Sequence, residues 1–155
     1  MYFVHSLQTF TICGDQDVVD KNPAPVTKDT PVFRRLHFSN MTCKDVNASA
    51  GHFFGLAEMY VEDCTFENVY ISIADNAVEG EPAMYVGVQP VKEKGFVLTN
   101  TRGIKFNNVT VVGVNGPAFE VENSEDITFT NCINKNNKSN SEMVKQTNCK
   151  NVVVK

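Results

Sequence analysis

The sequence predicts an all-β chain wound as a right-handed parallel β-helix of about five coils, and three observations carry that reading. A short motif recurs, "NTRGIKFN" from Asn100, "NSEDITFT" from Asn123 and "NCKNVVVK" from Asn148, at spacings of 23 and 25 positions. Within each copy apolar and polar residues alternate, the period of a strand with one buried face. An Asn then follows the apolar pair in four units, at Asn40, Asn68, Asn108 and Asn131. Asn tolerates left-handed backbone and bonds its own main chain, so it suits a corner between strands.

In chain order, the first unit is "RRLHFSNMTC", with Leu36 and Phe38 as its apolar pair, and the second is "EDCTFENVYI", with Cys64 and Phe66. Residues 74–95 then interrupt the period with Gly, Pro and charge, and read as an inserted loop. Met84, Tyr85, Val86 and Val88 alternate within it like a short extra strand covering a sheet edge. Ile104 and Phe106, then Ile127, then Val152 continue the series, so the first apolar positions are separated by 28, 40, 23 and 25 residues. Three near-constant gaps and one looped-out gap give a single partial β-helix domain over residues 1–155. Stacked corner Asn residues are expected to bond one another along the axis, as ladders of identical amides do. A leucine-rich repeat would need an LxxLxL frame. A sandwich would show hairpin dipeptides, and Asn115-Gly116 is the one Asn-Gly pair present.

The totals agree with one globular domain. At 155 residues and 42% hydrophobic content the chain can bury a core, and 11 Phe with recurrent Val favour strands. A formal net charge of −4 supplies no basic field for nucleic acid or an anionic membrane, and neither is expected as a partner. The N-terminal "MYFVHSLQTFTICGD" lacks a basic flank and cleavage pattern, so the chain as written carries no export signal and would be cytoplasmic if complete. Five Cys (Cys13, Cys43, Cys64, Cys132, Cys149) without a CxxC pair read as reduced, mostly buried thiols. His5, His37 and His52 are not spaced as metal ligands, and no metal or cofactor is expected.

From Thr30 onward, "TPVFRRLHFSNMTC", the Gly55-Leu56-Ala57-Glu58 turn, Pro82-Ala83-Met84 and "RGIKFNNVTVVGVNGPAFEVENSEDI" together resemble the C-terminal coils of glycoside hydrolase family 28, the polygalacturonase-like enzymes. The resemblance covers roughly residues 10–155 and implies the pectin-lyase-like solenoid fold. It also implies a parent activity: inverting hydrolysis of α-1,4-galacturonan or related pectic chains. Inversion needs an acid and a base on opposite faces of the sugar. The family's Asn-x-Asp and Asp-Asp motifs are absent from the chain. Gly51-His52-Phe53 lacks the second Gly of Gly-His-Gly, and Arg102-Gly103-Ile104-Lys105 echoes Arg-Ile-Lys several coils too late. No catalytic residue is therefore assigned, and the chain alone is expected to be inactive.

The resemblance implies the C-terminal portion of a longer pectin-degrading enzyme, truncated at its N-terminal end. The alternative is a non-catalytic β-solenoid acting as a carbohydrate-binding or assembly module. Bare coil ends expose strand edges, so self-association through them is expected. The expected ligand in the parent enzyme is a pectic polysaccharide or oligogalacturonide, whose carboxylates Arg or Lys would meet. Arg34, Arg35, Lys92, Lys94, Arg102 and Lys105 are the candidate cations. His52, Phe53 and Phe54, just before the Gly55 turn, are with Arg34 the candidate substrate contacts. Arg102, however, is replaced by Glu125 and then Lys150 in later copies. A position that takes either sign reads as the solvent side of a coil.

Overall fold

The computed structural model describes residues 11–13 as backbone and residues 23–81, 89–135 and 142–155 in full. Among these the chain is all-β, with no helix. Thirteen strands follow in order: β1 (Thr11–Cys13), β2 (His37–Val46), β3 (Ser49–Phe54), β4 (Val61–Glu62), β5 (Thr65–Ile73), β6 (Lys94–Thr99) and β7 (Thr101–Arg102). After them come β8 (Lys105–Val112), β9 (Phe119–Glu122), β10 (Glu125–Thr130), β11 (Ile133–Lys135), β12 (Val144–Thr147) and β13 (Lys150–Val154). They form two sheets. One runs β1-β3-β6-β9-β12, the other β2-β5-β8-β10-β7-β4 with β11 on β8 and β13 on β10. Every paired strand is parallel to its neighbour.

The expected apolar pairs lie on successive rungs. Phe38 pairs in register with Phe66, Phe66 with Phe106, and Phe106 with Phe129. Their rings stack with centroids 4.8, 4.7 and 5.3 Å apart and planes within 13° of parallel. Ile127 likewise pairs with Val152. The five-stranded sheet answers with a second aromatic row, where Phe96 stacks on Phe119 at 5.4 Å and 11°. Gly51 holds that row's place on β3, where an added Cβ would come within 2.9 Å of the Phe96 ring. The Phe53 ring, one row over, packs beside this gap at 6.4 Å from Phe96. The two rows meet edge-on and tilted, as in Phe66 with Phe96 (5.7 Å) and Phe119 with Phe129 (4.4 Å), and together make the core.

The Asn column forms with one difference from expectation. Asn40, Asn68 and Asn108 fall inside continuous strands, where φ of +55°, +54° and +53° bends each strand instead of ending it. Asn131 alone (φ +52°) separates two strands, β10 and β11. Asn68 Nδ2 donates to Asn40 Oδ1 (3.1 Å) and Asn108 Nδ2 to Asn68 Oδ1 (2.8 Å), so each bend ties down the next. Two further left-handed columns repeat on the rungs: Asn100, Asn123 and Asn148, and then Arg35, Asp63, Gly103, Asp126 and Asn151. Gly103 (φ +66°) takes the position without a Cβ penalty, where Asp63 Oδ1 also crowds.

The inserted loop is narrower than expected. Lys94 and Gly95 belong to β6, because the Lys94 N–H donates to the Ala48 carbonyl and the Phe96 N–H to that of Ala118. An antiparallel bridge between Gly80 and Val91 closes the loop's base. The expected strand over Met84, Tyr85, Val86 and Val88 lies outside the described residues.

Candidate functional site

Polar side chains gather on two outer surfaces. The first is a column of charges beside the Asn100–Asn123–Asn148 turns. Arg34 bridges to Glu62, Glu62 pairs with Arg102, Arg102 with Glu125, and Glu125 with Lys150, each in register one rung on. The signs alternate along the column. Arg102 Nη1 donates to Glu62 Oε1 at 2.9 Å, its Nε donates to Glu125 Oε1, and the guanidinium carbon sits 5.2 Å from the Tyr60 ring centre. The Glu125 hydrogen bond, with the charges of Glu125 and Glu62, pushes the Arg102 pKa above its ordinary value. A groove of about 330 Å³ opens here, with Tyr60, Asn100, Arg102, Asn123, Glu125 and Lys150 among its walls.

The second surface is the outer face of the five-stranded sheet. Because Phe53, Phe96, Leu98, Phe119 and Val121 are buried in the core, the alternate residues face outward. They form two rows in register. One is His52, Val97, Glu120 and Lys145, and the other is Phe54, Thr99, Glu122 and Thr147. Lys94 donates to Glu120 Oε1 across this face. A groove of about 180 Å³ runs over β6, β9 and β12, lined by both rows from Val97 and Thr99 to Lys145 and Thr147.

The structure separates the candidate contacts. Phe53 is a core residue, 2% exposed, with its ring edge-on to Phe66 at 5.3 Å, and so cannot face a ligand. Strand alternation decides this: of the adjacent pair Phe53-Phe54, one side chain must turn inward. Phe54 is half-buried on the outer face, and Arg34 is exposed on the other surface, so the four expected contacts do not converge. His52 is buried on the outer face, in the middle of β3.

The candidate cations divide in the same way. Arg102 and Lys94 are committed to carboxylates, and Lys92 lies 4.0 Å from Glu93. Arg34, Arg35 and Lys105 are exposed, with Lys105 in a shallow groove beside Asp63 and Asp126. Arg102 and Lys105 therefore lie outside a rung, while Ile104 and Phe106 lie within it.

Burial dominates the chemistry of His52. Desolvation lowers its pKa to about 4; Glu120 opposes and Lys94 adds to the shift. The imidazole is neutral at pH 7, and neither Nδ1 nor Nε2 has a hydrogen-bond partner. Burial also raises the thiols of Cys64 and Cys132, whose sulfurs donate to backbone carbonyls, so they behave as structural groups. Tyr60, Glu62 and Glu120 were not singled out in the sequence, and Glu125 was read there only as a replacement for Arg102. The signal for Glu62 and Glu125 was their place two residues before the first apolar position of their units. Compared with known proteins, the chain matches no family model, no curated protein and no solved structure, so the likeness to family 28 rests on the quoted motifs.

Proposed function

We propose that this chain is a right-handed parallel β-helix that supplies scaffold and part of the cleft wall at the C-terminal end of a pectin-degrading, polygalacturonase-like hydrolase. The observation that carries the reading is the in-register Asn40–Asn68–Asn108 column over the Phe38–Phe66–Phe106–Phe129 stack, which makes each sequence repeat one rung. Parallel strands in one sheet need crossover connections, and about 98% of such crossovers are right-handed. The hand follows from that rule. The enzyme assignment follows from the motifs that resemble the family.

On this reading the chain does no chemistry by itself. Inverting hydrolysis requires one carboxylic acid at the leaving oxygen and one carboxylate activating water. The family motifs that supply them have no counterpart here. Of the six candidate cations, Arg34, Arg35 and Lys105 are exposed and outside the ion pairs, and so remain to meet a uronate carboxylate. Self-association is part of the proposal. The outermost strands carry Ile133 and Val154 at 45% and 56% exposure, apolar edges suited to pairing with a second chain.

The encoding gene tests the assignment. An in-frame segment ahead of Met1 carrying Asn-x-Asp, Asp-Asp, Gly-His-Gly and Arg-Ile-Lys is expected, and a genuine start without them overturns it. The purified chain should release no reducing sugar from polygalacturonate. Measurable release would mean that a carboxylate pair has been overlooked.

A further inference from the structure

Among the described residues the charge column has a cation at each end. Arg34 stands beyond Glu62 on one side, and Lys150 beyond Glu125 on the other. Lys150 is exposed on β13, which pairs with β10 along one edge only, and it makes no ion pair among the described residues. The amides beside it have a direction. Asn148 Nδ2 donates to Asn123 Oδ1, and Asn151 Nδ2 to Asp126 Oδ1 at 2.6 Å. Each outer residue thus gives its N–H to the rung before it, and the Oδ1 atoms of Asn148 and Asn151 are left as acceptors at the edge. Between these polar columns Val152 pairs with Ile127 and Val154 with Phe129, and Val154 is still 56% exposed.

We propose that the free edge of β13 is a docking site for an extended, acidic strand of a partner protein. That strand sets a carboxylate opposite Lys150, side-chain N–H donors opposite Asn148 and Asn151, and apolar residues opposite Val152 and Val154. The repeat selects this chemistry. From rung to rung the charge column changes sign, the amide columns pass an N–H back to the preceding oxygen, and the inner columns set apolar on apolar. A strand continuing the sheet in parallel meets the same three demands at once. Unpaired backbone N–H and C=O groups at the edge supply the affinity, and the side-chain columns supply the choice of partner.

Charge decides between such a partner and a second copy of this chain. A copy stacked in step, first coil on last, would set Arg34 against Lys150. Two β13 edges meeting antiparallel about Val152 and Val153 would set Lys150 against Lys155 twice. Either arrangement brings like charges together, which is unfavourable for residues directly opposite in a sheet. The whole rung points the same way. Over residues 142–155 Lys145, Lys150 and Lys155 stand against Glu142 alone, in a chain whose net charge is −4. The apolar edge permits self-association, and the charge column makes it the weaker pairing. The docking site does not depend on the pectin-degrading assignment.

The probe is a capped peptide, N-S-E-N-I-T-F-T, which is the sequence of residues 123–130 with Asn in the place of Asp126, because the outer neighbour of Asn151 must donate. It is titrated into the whole chain and followed in the backbone amide NMR spectrum. Saturable shifts should centre on β13. The same peptide with Lys in place of its Glu should bind about fivefold more weakly, close to the 1 kcal/mol at the upper end for exposed ion pairs. That preference should shrink in 1 M salt. Lys150→Gln, which places no like charge beside Glu125, should erase it while the rest of the amide spectrum stays unchanged. No response at β13, or an equal response to the two peptides, overturns the proposal. Sedimentation showing that copies of the chain associate through β13 more tightly than the acidic peptide binds, at low salt, also overturns it and makes a second copy the occupant. None of these results bears on the encoding gene or on sugar release, so this inference and the enzymatic reading fail separately.

Discussion

The two sheets are alike inside and unlike outside. Each buries a stacked Phe row, Phe38–Phe66–Phe106–Phe129 on one side and Phe96–Phe119 on the other, and the rows interlock. On the outside of the eight-stranded sheet the repeated polar groups spend themselves on one another, Asn on Asn and Arg102 on Glu62 and Glu125. On the five-stranded sheet His52 has no such partner, and the rows change residue type from rung to rung. Repetition with satisfied groups is what a scaffold requires. A buried polar group without a partner on an irregular face departs from that pattern.

The largest expected effect checks that the interiors are equivalent. Phe106→Ala and Phe119→Ala should each cost about 3–5 kcal/mol in urea unfolding, because both rings are almost wholly enclosed and the cavity cannot collapse against stacked neighbours. Costs that differ severalfold would mean that one sheet carries the fold and the other merely leans on it.

Next comes acid, which acts on one outer face. The His52 pKa is about 4 in the folded chain against 6.5 ordinarily. Above pH 6.5 the ring is neutral folded and unfolded alike, and pH has no effect through it. Between pH 6.5 and about 4 only the unfolded chain takes the proton, so stability falls with acidity, by up to about 3 kcal/mol. Of the charged groups that act on this ring, Glu120 opposes the shift and Lys94 adds to it. His52→Gln should flatten that part of the stability profile. An unchanged slope in the variant would assign the acid response to other groups.

Much of the scaffold was legible in the sequence because it repeats. Ile104 and Phe106 could be placed inward from alternation, and Asn68 and Asn108 on one column from spacing. The turn-tolerant Asp63, Gly103, Asp126 and Asn151 mark another left-handed column, which Arg35 continues against its ordinary preference. The open face was not legible. Phe53 and Phe54 look equivalent in a string, and only the direction of β3 sends one into the core. The charged groups that act on His52 come from 42 and 68 residues away, where Lys94 and Glu120 lie in units that do not resemble "SAGHFF". Periodicity cannot find neighbours that are brought together where the period breaks.

The charge column was half read. The change from Arg102 to Glu125 to Lys150 looked like a position indifferent to sign, and the residues do lie outside the rung. Their order is instead complementary, since Arg34, Glu62, Arg102, Glu125 and Lys150 alternate and meet in register. The smallest expected effect comes from here. A double-mutant cycle of Arg102→Gln with Glu125→Gln should give a coupling of about 0.2–1 kcal/mol, the range for exposed pairs. It should shrink in 1 M salt, where screening acts within about 3 Å. Alternation also penalises a strand that slips by a whole rung, because one-rung neighbours differ in sign and two-rung neighbours agree, so the slip would bring like charges together. The column therefore sets neighbours more than it supplies stability. A salt-insensitive coupling well above that range would make it a strut of the fold, and the contrast between a spent face and an open one would then be a contrast in strength as well.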